Sequence, residues 1–567
     1  MTTAARRYST ACALGGAAAF GVFLWFLWAA PGGFLDETPF GLSRFYEEQA
    51  RAWFEGRWDA DAHSYFIERI TVDGRYYMYF GPWPSLLRVP VLAFTSSYDG
   101  QLTRFSLLLA LVVLLAGVGR LVWQVRALHD AGEVSRREQL AVAAFLLAVG
   151  CGTSVVLLSA SVWVYDEAIL WGAAWAAWSL SWCIQYLVGG AVRVLAVASL
   201  TTTLAIWSRP SSGVIGVVVL GGVFGGQILS SFRQAWVRRL ATRLVRFAGF
   251  DEQLARRRPW PAGFAASVPV AAYAAVNWAK FGAPFSVPFD RQDVVNDVNP
   301  LRRAVLEANG SDLLALDEIP TNLLNYFRPD GISLHRLFPF IDFSDGVVVL
   351  GSPARDIEWL HASLTVTATL LLVFGAVGLA ALLLPRLSAP GDRVRFAVLR
   401  LPALATIASL LPTLMFPSVF QRYNVDFTPV LVLLGAMGMY VTRARLRGRR
   451  KAQALAAAVA AVLLAWNLAA NLALTANLQR GYLDFVDPSD RGEWVLDRIR
   501  WTERLGVEPV ATIVRWDRVQ RSDMPPTGPI GSFLVVDDCR ELMLSDGSRW
   551  LPIRVDEPHS ICDALAG

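Results

Sequence analysis

The stretch GGFLDETPFG, Gly32 to Gly41, closes one kind of sequence and opens another. Before it, from about Ala11 to Ala30, the chain is apolar over the ~20 residues that a helix needs to cross a bilayer. The Arg6-Arg7 flank is not matched by a small-residue cleavage site, so the run reads as a retained first span rather than a removed signal peptide. Two acids, Asp36 and Glu37, follow Leu35 at once. Alone they are an ordinary polar stop at a membrane surface. Whether they are more depends on what the rest of the chain puts on the same side.

The chain has 567 residues, of which 54% are hydrophobic and 17% charged; a soluble chain carries roughly 25% charged residues. The apolar residues cluster in long runs, which predicts a polytopic α-helical membrane protein with about eleven spans. After the first, they are expected at 102–125, 140–160, 168–188, 194–207, 213–229, 261–278, 360–384, 399–416, 428–441 and 452–474. The pair flanking Arg209-Pro210 is short enough to read as one broken unit. The basic excess is nearly all arginine, with Lys280 and Lys451 the only lysines. It sits in short loops between spans, a topology signal and not a nucleic-acid footprint.

The arginines alternate from loop to loop. Arg126, Arg136 and Arg137, then Arg193, then Arg233, Arg238, Arg239, Arg243 and Arg246, then Arg386, Arg393 and Arg395, then the 443–451 cluster fall in every second loop. Those loops belong inside. The N-terminus is then cytoplasmic and the C-terminal segment extracytoplasmic. Three outer regions are large: a first loop over 31–100, a second over 280–358, and a soluble domain over 476–567 after a transmembrane core over 1–475.

In the first loop, GLSRFYEEQARAWFEGR carries Leu42, Phe45, Tyr46, Ala50, Trp53 and Phe54 at helical spacing, an amphipathic interfacial helix. YYMYFGPWPSLLRVPVL, aromatic and Pro-broken, suits an interfacial or re-entrant segment. In the tail, Asp487-Pro488 opens a helix that Gly506 stops, and GSFLVVDD and ELMLSDGSRWLPIRV read as strands, the latter two joined at Asp546-Gly547. Cys12, Cys151 and Cys183 lie in apolar runs as packing residues, whereas Cys539 and Cys562 in the outer tail can pair as a disulfide.

Polar residues near hydrocarbon are costly, so those at outer span ends are the functional candidates. They are Asp36 and Glu37; Asp166 and Glu167 in SVWVYDEAILWG; Arg209 in WSRPSSG; Arg328, His335 and Arg336 in the second loop; and Gln421, Arg422, Tyr423 and Asp426 in FPSVFQRYNVDFTP. For any one of them the plain reading is an interface marker. Together, acids and arginines at one depth suit a reaction in which a hydroxyl attacks and a phosphate leaves. A carboxylate takes the hydroxyl proton, and arginines hold the phosphate by paired, charge-assisted hydrogen bonds.

The long first outer loop, its juxtamembrane helices and an acidic motif directly after the first span resemble the membrane glycosyltransferases of the GT-C superfamily. LDETPFG, Leu35 to Gly41, looks like the Asp-Glu-x-x-Phe-Gly motif of the protein O-mannosyltransferase branch, and QRYNVDFTP looks like an Arg-Tyr element near the end of such cores. The overall look is similar to actinobacterial cell-envelope enzymes, and the likeness runs to about Leu474. It implies a polyprenyl-phosphate sugar donor, a glycan, glycolipid or protein acceptor, and a place in the bacterial cytoplasmic membrane. It makes Asp36 the catalytic base with Glu37 beside it, puts Asp166 and Glu167 in the same cavity, and makes Arg209, Arg336 and Arg422 candidates for the donor phosphate. The second loop is too short for the β-trefoil of the mannosyltransferase branch, which weakens the case for a protein acceptor. Trp550 in the tail suits glycan binding. No metal is obligatory in this reading, although two acid pairs have the oxygen donors for Mg or Mn.

A transporter or flippase of lipid-linked sugars, and a non-catalytic envelope scaffold, stay open as other classes. A transporter would place its polar residues at mid-membrane in broken helices with internal repeats; a scaffold would need no cavity over Asp36. Replacing Asp36→Asn keeps the shape and removes the base. Sugar transfer by membranes carrying this variant should fall to background while its expression level holds, and near-normal transfer would take Asp36 out of the mechanism.

Overall fold

The computed structural model describes residues 2–30, 44–65, 68–129, 132–384, 395–482, 488–507, 517–519, 533–536, 541–545 and 549–553. Asp36, Glu37, Cys539 and Cys562 lie outside these residues, as do the Asp546-Gly547 turn and Arg386 and Arg393. The chain divides into two compact units, one made of 1–331 with 346–471 and the other of 332–345 with 472–567.

The first unit is helical. Each apolar segment of the sequence contains a helix: Thr3–Ala29, Leu102–His129, Arg136–Cys151, Val164–Gly189, Val192–Ser208, Pro210–Ser231, Trp260–Phe281, Thr369–Leu383, Arg400–Ala408, Thr428–Arg445 and Arg450–Asn477. Among the described residues, six helical stretches are long and apolar enough to cross a membrane, and Val192–Ser208 and Thr369–Leu383 are shorter apolar helices. One apolar core joins them. It runs from Phe23 and Leu27 of the first helix through Leu111 and Leu114 to Trp171, Leu220, Leu433 and Met437.

Two local solutions let this bundle close. Val192–Ser208 and Pro210–Ser231 form an antiparallel hairpin, not one broken span. Arg209 between them is extended, at φ −150° and ψ 116°, and a Cβ on Gly213 or Gly216 would sit 1.9 Å from Ile206 or Thr202 respectively. Glycine is there because the helices touch. The other solution concerns a break at Ala368, between helices Leu364–Thr367 and Thr369–Leu383. Backbone groups freed by a break in a bundle must find partners. Asn467 Nδ2 donates to the Val366 carbonyl at 2.8 Å, its Oδ1 accepts from Leu370 N at 2.9 Å, and Asn471 Nδ2 donates to the Thr367 carbonyl at 2.7 Å.

The first long loop is ordered by short elements. Helix Phe45–Phe54 buries Phe45, Tyr46, Gln49 and Ala50, so it is packed more deeply than a helix lying on a surface. Trp83–Leu92 is a helix with Pro90 inside it. Between them, Ile70–Val72 pairs antiparallel with Arg75–Tyr77. Asp73 and Gly74 make the turn, at φ 50° and 74°. That is the two-residue hairpin signature. The sequence reading passed over it.

In the second unit, Ser333–Leu334 pairs antiparallel with Ile341–Asp342. A four-stranded sheet places Asp517–Val519 parallel to Phe533–Val536, which pairs antiparallel with Glu541–Ser545, and that strand with Trp550–Ile553. Helix Pro488–Arg504 covers the sheet through Val495, Leu496 and Ile499 against Leu544 and Leu551.

The hairpin yields a test. Gly216→Val would force a branched side chain against Thr202 and Ser179, whose hydroxyls already bond each other at 2.7 Å. Overpacking of this kind costs about 1–3 kcal/mol. A lowered Tm of the purified protein in detergent is expected, and an unchanged Tm would mean the helices can part.

Candidate active site

Several polar side chains that the sequence puts at span ends meet around the first turn of the Val164–Gly189 helix and the short Gln421–Phe427 turn that precedes Thr428–Arg445. Trp163 caps the first of these helices, and its backbone N–H donates to Asp166 Oδ2 at 3.1 Å. The Ser161 hydroxyl donates to the same oxygen at 2.5 Å. Asp166 is thus a buried carboxylate at a helix N-terminus, where backbone N–H groups favour negative charge.

Its neighbour Glu167 turns elsewhere. Successive residues on a helix point about 100° apart, so a pair of adjacent acids cannot share one partner easily. Arg88 donates to Glu167 Oε1 at 2.7 Å and to Oε2 at 2.8 Å, and the Ser106 hydroxyl donates to Oε1 at 2.5 Å. Glu47 Oε1 stands 3.7 Å from Arg88 and accepts from Leu102 N at 3.0 Å at the start of the next helix. Both oxygens of Glu167 are engaged within the protein.

The arginines divide in the same way. Arg209 Nη2 donates to Asp426 Oδ2 at 2.7 Å, and the Thr413 hydroxyl donates to the same oxygen at 2.6 Å. Arg209 also lies 4.8 Å above the Tyr423 ring. Its charge is therefore neutralised in place. Arg422 has no carboxylate within ion-pair distance among the described residues. Aromatic rings hold it: Tyr165 at 4.3 Å, Phe420 at 4.6 Å, Tyr423 at 5.7 Å and Trp163 at 6.0 Å. It is half-buried, its Nε makes no hydrogen bond, and its field reaches Asp166.

Gln421 is a bracket. Its backbone N–H donates to the Leu360 carbonyl at 3.1 Å, its Nε2 donates to Ser154 Oγ at 2.8 Å, and its Oε1 accepts from Ala362 N. Tyr423 packs edge-on against Phe416 and Phe420 and stands between the two arginines. His335 and Arg336 belong to the second unit, where both are exposed; His335 Nε2 lies 3.8 Å from Asp342 Oδ2.

One line of contacts extends the site into both long loops. The Tyr165 hydroxyl donates to Glu68 Oε1 in the first loop. Glu68 Oε2 accepts from Gln292 Nε2 at 2.5 Å, and Gln292 Oε1 accepts from Arg302 at 3.3 Å. Arg302 pairs with Asp356, which Asn299 Nδ2 also holds at 2.7 Å. The sequence reading missed Glu68, Tyr165, Gln292, Arg302 and Asp356. Only Tyr165 had a local signal, its place next to Asp166. Among the described residues, no three His, Cys, Asp or Glu side chains converge as a metal site.

Three solved structures align with most of this chain. The chain aligns with an archaeal oligosaccharyltransferase, AglB from Archaeoglobus fulgidus, solved with an inhibitory peptide and a dolichol-phosphate: 14% identity, TM-score 0.44, covering 90% of this chain and 62% of that one. The apo form of the Archaeoglobus fulgidus oligosaccharyltransferase gives 15% identity and TM-score 0.45 over 90% and 62%. Its complex with Zn and sulfate gives 14% and 0.43 over 89% and 60%. The chain therefore spans less than two thirds of the length of these proteins. No protein-family model and no curated protein matches it.

The two acids at the head of the Val164–Gly189 helix should separate in experiment. Glu167→Ala leaves the Arg88 guanidinium, only 2% exposed, facing Glu47 alone, and breaking a buried pair by removing one partner costs about 3–5 kcal/mol. A large loss of folded protein and of Tm is expected. Asp166→Asn, which keeps an acceptor for Ser161, should leave Tm within a few degrees. Equal Tm for both variants would contradict this division.

Proposed function

We propose that this chain is a membrane glycosyltransferase that moves a sugar from a polyprenyl-phosphate donor to a cell-envelope glycan, glycolipid or protein acceptor on the outer side of a bacterial cytoplasmic membrane. The observation that carries the reading is Arg422. A half-buried guanidinium framed by four aromatic rings, with no carboxylate partner among the described residues, is suited to a phosphate that arrives with the substrate. Rings supply attraction to the cation without neutralising it.

In this reading the acceptor hydroxyl attacks the anomeric carbon of the donor, the bond from that carbon to the phosphate oxygen breaks, and configuration inverts. Asp36 takes the hydroxyl proton, with Glu37 beside it. Arg422 stabilises the charge that develops on the departing polyprenyl phosphate. Asp166, within the field of Arg422, sets the orientation of that guanidinium or of the acceptor. Arg209 and Asp426 hold Tyr423 in place. The 476–567 segment is the extracytoplasmic domain, and a divalent cation on the acids is not required. The polar cluster supports this reading over a transporter because it gathers at helix ends and in the turn at 421–427, not along the middle of broken helices.

Arg422→Gln is the decisive variant. Loss of one group that stabilises developing charge lowers a rate about 100-fold or more. Release of polyprenyl phosphate from a labelled polyprenyl-phosphate sugar should fall by that factor at unchanged Tm, with Arg422→Lys intermediate because a point charge replaces the fork. A Gln variant as fast as the parent would overturn the assignment.

A further inference from the structure

The helix Ala235–Ala248 follows the apolar helix Pro210–Ser231 after three residues, and its sequence AWVRRLATRLVRFA has three faces, not two. Val237, Ala241 and Val245 are buried; Val245 and the following Phe250 lie against Gly226 of the preceding helix. Trp236, Leu240, Leu244 and Phe247 stand next to that face, at spacings of four, four and three, and are 43–69% exposed. Arg238, Arg239, Arg243 and Arg246 occupy the remaining arc. At about 100° per residue the apolar arc covers one half of the helix, split between protein and open surroundings, and the arginines cover the other half.

A cytosolic surface would not expose a tryptophan, a phenylalanine and two leucines in a row. A fully buried helix would not carry four arginines. Only Arg246 has an acidic neighbour, Glu252 at 3.9 Å, and both are well exposed. Arg238, Arg239 and Arg243 have no carboxylate within ion-pair distance among the described residues. Because the helix begins where a membrane-length apolar helix ends, its surroundings include the bilayer surface.

We propose that Ala235–Ala248 lies in the plane of the membrane as an anchor for anionic phospholipid. Its open apolar stripe enters the acyl boundary, the adjacent buried stripe stays on the bundle, and its arginines hold lipid phosphates. An amphipathic helix rich in arginine on its polar face binds an interface through buried apolar area and attraction to anionic headgroups together. The charge complementarity selects anionic over zwitterionic lipid. The inference concerns a surface of the protein other than the proposed catalytic one and holds whatever reaction the chain performs.

The test uses the purified full chain. Native mass spectrometry in a mild detergent with equal phosphatidylglycerol and phosphatidylcholine should show the parent enriched in phosphatidylglycerol. The variant R238Q/R239Q/R243Q/R246Q should lose that preference, by about fivefold for each arginine removed, and R238K/R239K/R243K/R246K should keep it. Equal lipid ratios for parent and glutamine variant would overturn the proposal. Spin labels introduced by Leu240→Cys and Arg239→Cys, in vesicles of the same two lipids, give the depth. The label at 240 should collide with oxygen and the one at 239 with a water-soluble nickel chelate. A label at 240 open to nickel means a solvent-facing stripe, and one shielded from both means a protein partner or second copy; either result overturns the proposal.

Discussion

A guanidinium that is 2% exposed cannot remain without a counter-charge, and Arg88 is in that position. It answers with a two-pronged bond to Glu167 and a second carboxylate, Glu47, 3.7 Å away. These residues come from the two helices of the first long loop and from the head of the Val164–Gly189 helix. Desolvating such a pair costs several kcal/mol per ion, which only good geometry and further hydrogen bonds offset. Here Ser106, Thr103, the Pro84 carbonyl and the amides at Gly100 and Leu102 supply them. The loop is tied to the bundle by charge, and Asp166, one residue from Glu167, is thereby aimed the other way.

The same accounting distinguishes the other arginines of the unit. Arg126 is met by Glu138, Arg302 by Asp356, Arg355 by Glu318 and Glu358, and Arg209 by Asp426. The Arg302–Asp356 and Arg209–Asp426 pairs join elements 54 and 217 positions apart in sequence. Among the described residues, Arg422 is held by rings and by no carboxylate. A cation so placed keeps its charge for something else, and the proposed donor phosphate is the group whose chemistry fits. Among the described residues, Arg238, Arg239 and Arg243 of Ala235–Ala248 have no carboxylate partner for a different reason, since they are exposed and border an open apolar stripe.

The helices and their order were legible because each is a local pattern: a run of apolar residues, a cap, a breaker. The hairpin at Asp73-Gly74 is equally local, but the aromatic run that follows it carries an interfacial signal as well and masks the turn. The polar residues at helix ends were legible as a set, since hydrocarbon leaves them few other places to stand. Their individual roles were not. Asp166 and Glu167 are adjacent letters with opposite fates, and Arg209 and Arg422 are both arginines beside Tyr423. What separates them are partners 79 and 217 positions away, Arg88 for Glu167 and Asp426 for Arg209.

The sequence by itself determined that this chain is built of long apolar helices, that their ends carry acids and arginines, and that a helix of the first long loop is amphipathic. Composition and a period of 3.6 residues suffice for that, because they act within a few turns of chain. The tertiary structure alone decided which charges cancel and which stay available. Pairing depends on the meeting of helix ends distant in sequence, and a carboxylate changes from reactant to strut when a guanidinium arrives within 3 Å of it.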